Sequence, residues 1–357
     1  VIIFIYGTTA EAIKLAPVAR RLDAQGIPYQ HWITYHHTES LRKAIPELGF
    51  HAPEQQIANG SKGRSLTSPA QMVKWIFDIL GWTMKNAGKL KKTLPEGTVV
   101  VVHGDTMTTV LGTLIGKRLG VPVAHVEAGL RSGNWRHPFP EELDRRIVGR
   151  IADIHYAPSE EAARNLSRRS NVLNTHGNTA KDAVLDAARD RGQAEEPFGL
   201  VLLHRFEFVS NQALVRETLT TLDRDTPLPL RIIVDAFSRP AMEATIAELG
   251  LTNITVIDKL EHGDFVETMR SASFIVTDSG GIQQESAVFG VPTLIHRKVT
   301  ESEDGIGTSA VLSEWDQAKV SAFLADSAKY RVEDPDTGRS PSDIIVADLI
   351  ERGFARA

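Results

Sequence analysis

Apolar residues along the chain fall into short solid blocks separated by amphipathic stretches. VIIFIY (1–6) has the length and continuity of a buried strand, and behind it Ala12, Ile13, Leu15, Ala16, Ala19 and Leu22 recur at helical spacing. YQHWIT (29–34) reads as a second strand, 38–48 as a short helix, and the polar, Gly-containing stretch 51–67 as a surface loop. Pro69 opens a long helix to Leu94 with Met72, Trp75, Ile76, Ile79, Leu80 and Thr83 on its core side. VVVVHG (99–104) and VPVAHV (121–126) are two further strands with a helical segment between them. ADIHYAP (152–158), a helix to Arg169 and NVLNT (171–175) follow. After Gly177-Asn178, which reads as a hinge, the alternation starts again: GLVLLH (199–204), helix 211–222, LRIIVDA (230–236), helix 239–249, ITVID (254–258), FIVTDS (274–279), GGIQQESAVFG and PTLIH (292–296). A helix to Lys329 and another over 342–354 end the series.

Strand–helix alternation of this kind predicts an α/β fold class: two Rossmann-like domains, each on a mostly parallel sheet, facing across a cleft. The expected divisions are 1–176, 177–335 and a C-terminal helical segment, 336–357. A length of 357 residues suits two domains.

Composition narrows the function. A net charge of −5 supplies no basic field, so no nucleic-acid partner is expected. The absence of cysteine excludes a disulfide framework, a thiolate nucleophile and a Cys-ligated zinc site. No apolar run reaches the roughly 18 residues of a membrane span and no signal peptide precedes the first strand, which predicts a cytoplasmic protein with no membrane partner.

The chemistry gathers at strand ends, where ligands bind in open α/β sheets. Asp105 follows VVVVHG, Glu127 follows VPVAHV, and Glu141-Glu142 follow Pro138 and Pro140. Ser279-Gly280-Gly281 joins a strand directly to a helix N-terminus, an arrangement that attracts phosphate. The plainer reading is a tight turn whose glycines supply positive φ. Gly7-Thr8-Thr9 has the same logic, with Lys14 further along its helix. It lacks the full dinucleotide and P-loop signatures, which argues against both activities. His103 and His125 each stand two residues before an acid; inside apolar strands, and with no H-E-x-x-H, they read as core groups, and no obligatory metal is expected. His204-Arg205 ends GLVLLH, where a histidine serves as acid/base or phosphate partner. No G-x-S-x-G elbow is present.

Taken together, GTTAEAIKLAPV, VHGDT, HVEAGLRSG, PFPEELDRR, APSE, GN, HR and above all TDSGGIQQESAVFGVPTL resemble the UDP-N-acetylglucosamine 2-epimerases, in unbroken order over nearly the whole chain. The resemblance implies a glycosyltransferase-B type fold, a nucleotide sugar as ligand, no cofactor and a homodimer. It also implies a last helix that folds back on the first domain. The implied reaction eliminates the nucleoside diphosphate across C1–C2 of the sugar and re-adds it to give the other C2 epimer. The matching catalytic positions are Asp105, Glu127, Glu141 and His204. The matching ligand contacts are Ser279, Gly280 and Gly281 for phosphates, Glu285 for ribose, and Lys14 and Arg145. Crowded carboxylates cannot all ionise cheaply, so at least one should have a raised pKa suited to proton transfer.

Departures from the family pattern fall on cations. Thr9-Ala10 stand where the family has Arg-Pro, Phe206 and Ser302 each replace an arginine, and Phe237 replaces a histidine. The Gln-His stretch tied to activator binding is His36-His37 here, so activation by substrate is not expected. With charge-assisted contacts worth about 1.5–3 kcal/mol each, these changes imply altered recognition of the leaving group or sugar. A hydrolysing epimerase, a glycosyltransferase of the same architecture and a catalytically silent nucleotide-sugar-binding relative remain as alternatives.

Overall fold

Each half of the chain is built on one all-parallel sheet. A computed structural model describes residues 1–354 apart from 37, 67, 134–139, 188–195, 227, 301, 334, 336 and 337. The first unit comprises Val1–Ala183 with Gly338–Ala357, and the second Val184–Thr337.

Seven strands form the first sheet: β1 (Ile2–Tyr6), β2 (Tyr29–Ile33), β3 (Gln55–Gln56), β4 (Val99–His103), β5 (Val123–Val126), β6 (Ile154–Ala157) and β7 (Val172–Asn174). They run in the order β3-β2-β1-β4-β5-β6-β7. Its helices are α1 (Thr9–Ala24), α2 (Glu39–Glu47), α3 (Pro69–Thr93), α4 (Met107–Leu119), α5 (Glu141–Ile151), α6 (Glu160–Asn165) and the start of α7 (Thr179–Ala187). Ile2, Phe4 and Tyr6 of β1 enter a core with Leu15, Val18 and Leu22 of α1. Ile3 and Ile5 enter a second core on the opposite face with Trp75, Ile79, Leu111 and Ile115. Covering both faces is what makes a central parallel strand read as an unbroken apolar run.

The second sheet has the order β10-β9-β8-β11-β12-β13. Its strands are β8 (Gly199–Leu202), β9 (Leu230–Val234), β10 (Ile254–Asp258), β11 (Phe274–Thr277), β12 (Thr293–Ile295) and β13 (Ala310–Leu312). Around them lie α8 (Phe206–Val209), α9 (Gln212–Asp225), α10 (Arg239–Leu249), α11 (His262–Ser271), α12 (Gly280–Val288) and α13 (Gln317–Ala325). The last helix, α14 (Pro341–Glu351), belongs to the first unit, where Ile345, Val346 and Leu349 join the core containing α1. Among the described residues no helix is long and apolar enough to cross a membrane.

The structure departs from the sequence expectation in three places. The passage between units falls inside α7, at Ala183, and not at Gly177-Asn178. Side-chain bonds explain this: Asp182 accepts from the Ser342 backbone N–H at 2.7 Å and lies 3.8 Å from Arg21, tying the start of α7 to α1 and α14. The 51–67 stretch is not wholly loop, because Gln55 and Gln56 pair with Trp32 and Ile33 as an edge strand that carries no apolar signal. On α3, Trp75, Ile79, Thr83 and Ala87 are buried, but Leu80 is 38% exposed. It is part of an outward stripe with Val73, Phe77 and Met84, all exposed.

Candidate active site

In sheet one the order reverses between β1 and β4, and in sheet two between β8 and β11. Such switch points leave a crevice beyond the strand ends. The predicted site residues cluster at both.

In the first unit, Thr8 caps α1 in a capping box with Glu11. One carboxylate oxygen of the buried Glu11 accepts from Gly7 N (3.0 Å), Thr8 N (2.8 Å) and Thr8 Oγ1 (2.9 Å). The other accepts from Thr106 Oγ1 at 2.7 Å, bracing the β1 turn against the turn after β4. This corrects the reading of Gly7-Thr8-Thr9 as an anion site: the Gly7 and Thr8 donors are committed to the chain's own carboxylate. Nor does Lys14 serve that turn. Its Nζ lies 2.5 Å from Glu127 Oε2.

Glu127 holds a left-handed backbone, φ 66°, unusual for a residue with a Cβ. Its side chain is almost fully enclosed, ion-paired to Lys14 and hydrogen-bonded by Asn178 Nδ2, with His103 Nε2 3.6 Å away. Burial pushes its carboxyl up, but the charge of Lys14 and the hydrogen bond from Asn178 outweigh burial and hold the group well below the usual carboxylate range. The two strand histidines, expected to be core, divide here. His125 Nε2 meets the Gly104 carbonyl at 2.7 Å, a core arrangement. His103 Nε2 is buried, with no hydrogen bond among the described residues, and faces Glu127; burial lowers its pKa to about 4, so the ring is neutral.

Asp105, just beyond β4, is ion-paired to Arg145. Burial pushes its carboxyl up and Arg145 only partly offsets this, with Glu127 and Glu141 adding to the rise. Glu141 and Glu142, paired in the sequence, separate in role. Glu142 is fully buried and structural, accepting from Ser132 N at 3.1 Å and Arg146 Nε at 2.9 Å. Glu141 keeps a buried Oε2 with no hydrogen-bond partner among the described residues. Asp144, which sequence reasoning missed, sits one turn along α5, buried, with Oδ2 likewise unpartnered among the described residues. Burial, then Asp105 and Glu141, push its pKa up to about 7. The cluster thus holds carboxyls driven in opposite directions, the separation that acid/base chemistry requires. Pro138, in the same motif, lies outside the described residues.

In the second unit, Asp278 spans the switch point. It follows β11, is buried, and accepts from His204 N (3.0 Å) and Arg205 N (2.9 Å) at the end of β8. It was not singled out in the sequence, although its place at the strand end in TDSGG was a signal. The His204 ring is 41% exposed, its Nδ1 3.8 Å from Asp278. Ser279 caps α12, accepting from Ile282 N at 3.5 Å. By helix geometry Gly280 and Gly281 have no acceptor within α12 for their N–H groups. Neither has positive φ, so the tight-turn reading fails. At Gly281 an added Cβ would meet only Ser279 Oγ, at 3.7 Å, so what its small size leaves is room. Glu285 is half-buried on the same helix.

A model of the UDP-N-acetylglucosamine 2-epimerase family matches residues 37–337. The chain belongs to this family. The UDP-N-acetylglucosamine 2-epimerase of Escherichia coli (strain K12) is 31% identical over 363 residues, covering 92% of each chain. That of Bacillus subtilis (strain 168) is 30% identical, covering 93% of this chain and 87% of its own. Among solved structures, the Neisseria meningitidis UDP-GlcNAc 2-epimerase bound to UDP-GlcNAc aligns with TM-score 0.79 and 25% identity over 98% of this chain and 99% of that one. The S. aureus MnaA–UDP structure aligns with TM-score 0.77 and 28% identity over 99% and 96%. The two parallel-sheet α/β units are therefore the epimerase fold.

Within this epimerase chain, two of the positions that depart from the family pattern meet. Phe206 and Phe237, 70% and 50% exposed, stack on each other with ring centroids 6.2 Å apart. Asp235 fixes the second of them, accepting from Phe237 N at 3.1 Å. Ser302 is buried and donates to Asp304 at 2.6 Å. Its loop is fastened by the buried Gln283, which donates to the Ser302 and Asp304 carbonyls at 2.9 Å each and accepts from Thr300 at 2.7 Å. Glu301 lies outside the described residues. His36 packs on Trp75, ring centroids 5.1 Å apart, and His37 lies outside the described residues.

Proposed function

We propose that the protein is a sugar-nucleotide 2-epimerase acting on a nucleotide-activated amino sugar with altered recognition of its ligand. The observation that carries this is the pairing, in one cluster, of Glu127, held ionised, with Asp144 and Asp105, whose carboxyls are pushed up. An epimerisation by elimination needs a base to take the C2 proton as the C1–oxygen bond breaks and the C1–C2 double bond forms. It then needs an acid to return a proton to C2 on the opposite face as the diphosphate oxygen re-adds to C1. Lys14 couples binding to this step: when its ammonium turns to a ligand anion, Glu127 loses its strongest counter-charge and becomes a better base. Arg145 relates to Asp105 in the same way. His204 and the Ser279-Gly280-Gly281 turn carry the anionic leaving group, and Glu285 the ribose. Relatives bound to UDP-GlcNAc and to UDP support this ligand class.

Altered recognition rests on the Phe206–Phe237 pair, which sets an apolar stacked surface next to His204 where the family pattern carries cations. Incubation in D2O with UDP-N-acetylglucosamine and other activated sugars, followed by NMR, tests both statements. Deuterium at C2 with formation of the epimer supports the reaction; release of free sugar identifies the hydrolysing form, and the absence of exchange with every sugar rules the reaction out. Efficient turnover of UDP-N-acetylglucosamine at ordinary affinity removes the altered-recognition half.

The proposal includes a cytoplasmic homodimer, with the α3 stripe of Val73, Phe77, Leu80 and Met84 as the face a second copy covers. Phe77→Glu with Met84→Glu is expected to halve the mass measured by light scattering.

A further inference from the structure

Besides the acid cluster, a second group of ionisable side chains converges in the first unit. His31 lies in the middle of β2 with its ring fully buried, and His51 and Glu54 precede β3 on the stretch that returns to pair with β2. His31 Nε2 is 3.1 Å from His51 Nδ1, and that nitrogen is 3.3 Å from Glu54 Oε1. One ligand atom from each of the three falls within 4.8 Å of the others. The Ala52 carbonyl oxygen is 3.0 Å from the same His51 nitrogen.

Hydrogen bonding alone serves this arrangement poorly. His51 Nδ1 carries at most one proton, pointing in one direction, yet the Ala52 carbonyl and the Glu54 carboxylate, which can only accept, and His31 Nε2 all crowd it. A cation satisfies them together. Ligand atoms at the usual zinc distances in a tetrahedron are about 3.3–3.4 Å apart, and the observed 3.1 and 3.3 Å edges are close to that. The outer partner is also present: Tyr6 Oη lies 2.8 Å from His31 Nδ1, fixing the ring so that Nε2 faces His51.

We propose that His31 Nε2, His51 Nδ1 and Glu54 form a zinc site, with the Ala52 carbonyl or a water at the fourth corner. Two imidazoles and one carboxylate favour Zn2+ over Mg2+ or Ca2+. The site fastens the 51–54 stretch, and with it the edge strand β3, onto β2. It is separate from the acids, since among the described residues none of its three side chains bonds to Asp105, Glu127 or Asp144. It also departs from the expectation that the chain needs no metal, an expectation framed around His103 and His125.

The test strips the full chain with a chelator and titrates it with Zn2+ in competition with a chromophoric chelator, then repeats the titration with Co2+, whose visible absorption is strong only when four-coordinate. His51→Gln and Glu54→Gln change side chains that are 42% and 33% exposed, so circular dichroism should show them folded. Tyr6→Phe removes only the outer hydroxyl. One equivalent of Zn2+ and a four-coordinate Co2+ spectrum are expected. His51→Gln and Glu54→Gln are each expected to weaken binding by at least about tenfold, and Tyr6→Phe by about 10–100-fold. Well under one equivalent bound by the wild type, or folded His51→Gln and Glu54→Gln variants that bind like it, overturns the site.

Discussion

The two units treat their charged positions differently. In the first, every family acid is present and two of them are matched to cations: Lys14 on Glu127, Arg145 on Asp105. In the second, the anion turn and His204 remain, but around them Phe206, Phe237 and Ser302 replace charge with apolar surface or a neutral hydroxyl. Proton transfer tolerates little substitution, because a misplaced or mis-ionised carboxyl loses its function outright. Ligand grip is a sum over contacts and can be redistributed. On the function proposed above, the reaction is held fixed in one unit while most of the change in ligand grip falls in the other, Thr9-Ala10 being the exception in the first.

The sharpest challenge to that division is Glu127→Gln. It is expected to lower C2 deuterium exchange by roughly 10²–10⁴-fold while leaving UDP binding, measured by calorimetry, within a few-fold of wild type. Equal losses in both would mean that the acids belong to the grip as well. Next in size, Phe206→Arg with Phe237→His restores the cations. A regained charge-assisted contact of about 1.5–3 kcal/mol should tighten UDP by about tenfold or more. An unchanged Kd would show that the aromatic pair is irrelevant to the diphosphate.

Lys14→Met tests the coupling through pH. Burial raises the Glu127 carboxyl and Lys14 is the first of the groups that lower it, so removing Lys14 moves its pKa up. The acid limb of the rate profile should shift to higher pH, and an unmoved limb would separate Glu127 from the titration that controls rate. The smallest effect is expected at Asp144. Its folded pKa of about 7 against an ordinary 3.8 means that the folded chain keeps a proton the unfolded chain gives up. That contribution is complete below pH 3.8 and is lost as pH rises toward 7. Asp144→Asn carries no such loss. Relative to wild type it should gain on the order of 1 kcal/mol between pH 4 and 7, screening having reduced the effect, as read from denaturant midpoints.

Much of this architecture was legible because central parallel strands, buried on both faces, must be continuously apolar. The strands at 1–6 and 99–103 are plain for that reason. Gln55-Gln56 at the edge obeys no such constraint and passed for loop. Helix faces were legible to within one residue: Leu80 is adjacent to the buried Ile79, and a single step of 100° carries it to the outside. At the site, motif residues were recognisable by type, whereas their pairings were not. No spacing rule connects Lys14 to Glu127, and Asp278 acts through backbone N–H groups that leave no mark in the sequence. Asp144 was passed over because its character comes from burial and its neighbours, which a one-dimensional reading does not contain.

Glu11 bears on stoichiometry. Two strand-to-helix turns at the switch points, at α1 and at α12, would each ordinarily accept an anion. At α1 the carboxylate of Glu11 already accepts the Gly7 and Thr8 N–H groups. The chain thus carries a tethered counter-ion that excludes diphosphate from the first turn. On the function proposed above, a nucleotide is left the α12 turn, and the decoy site that the α1 turn would otherwise create is closed by a single side chain.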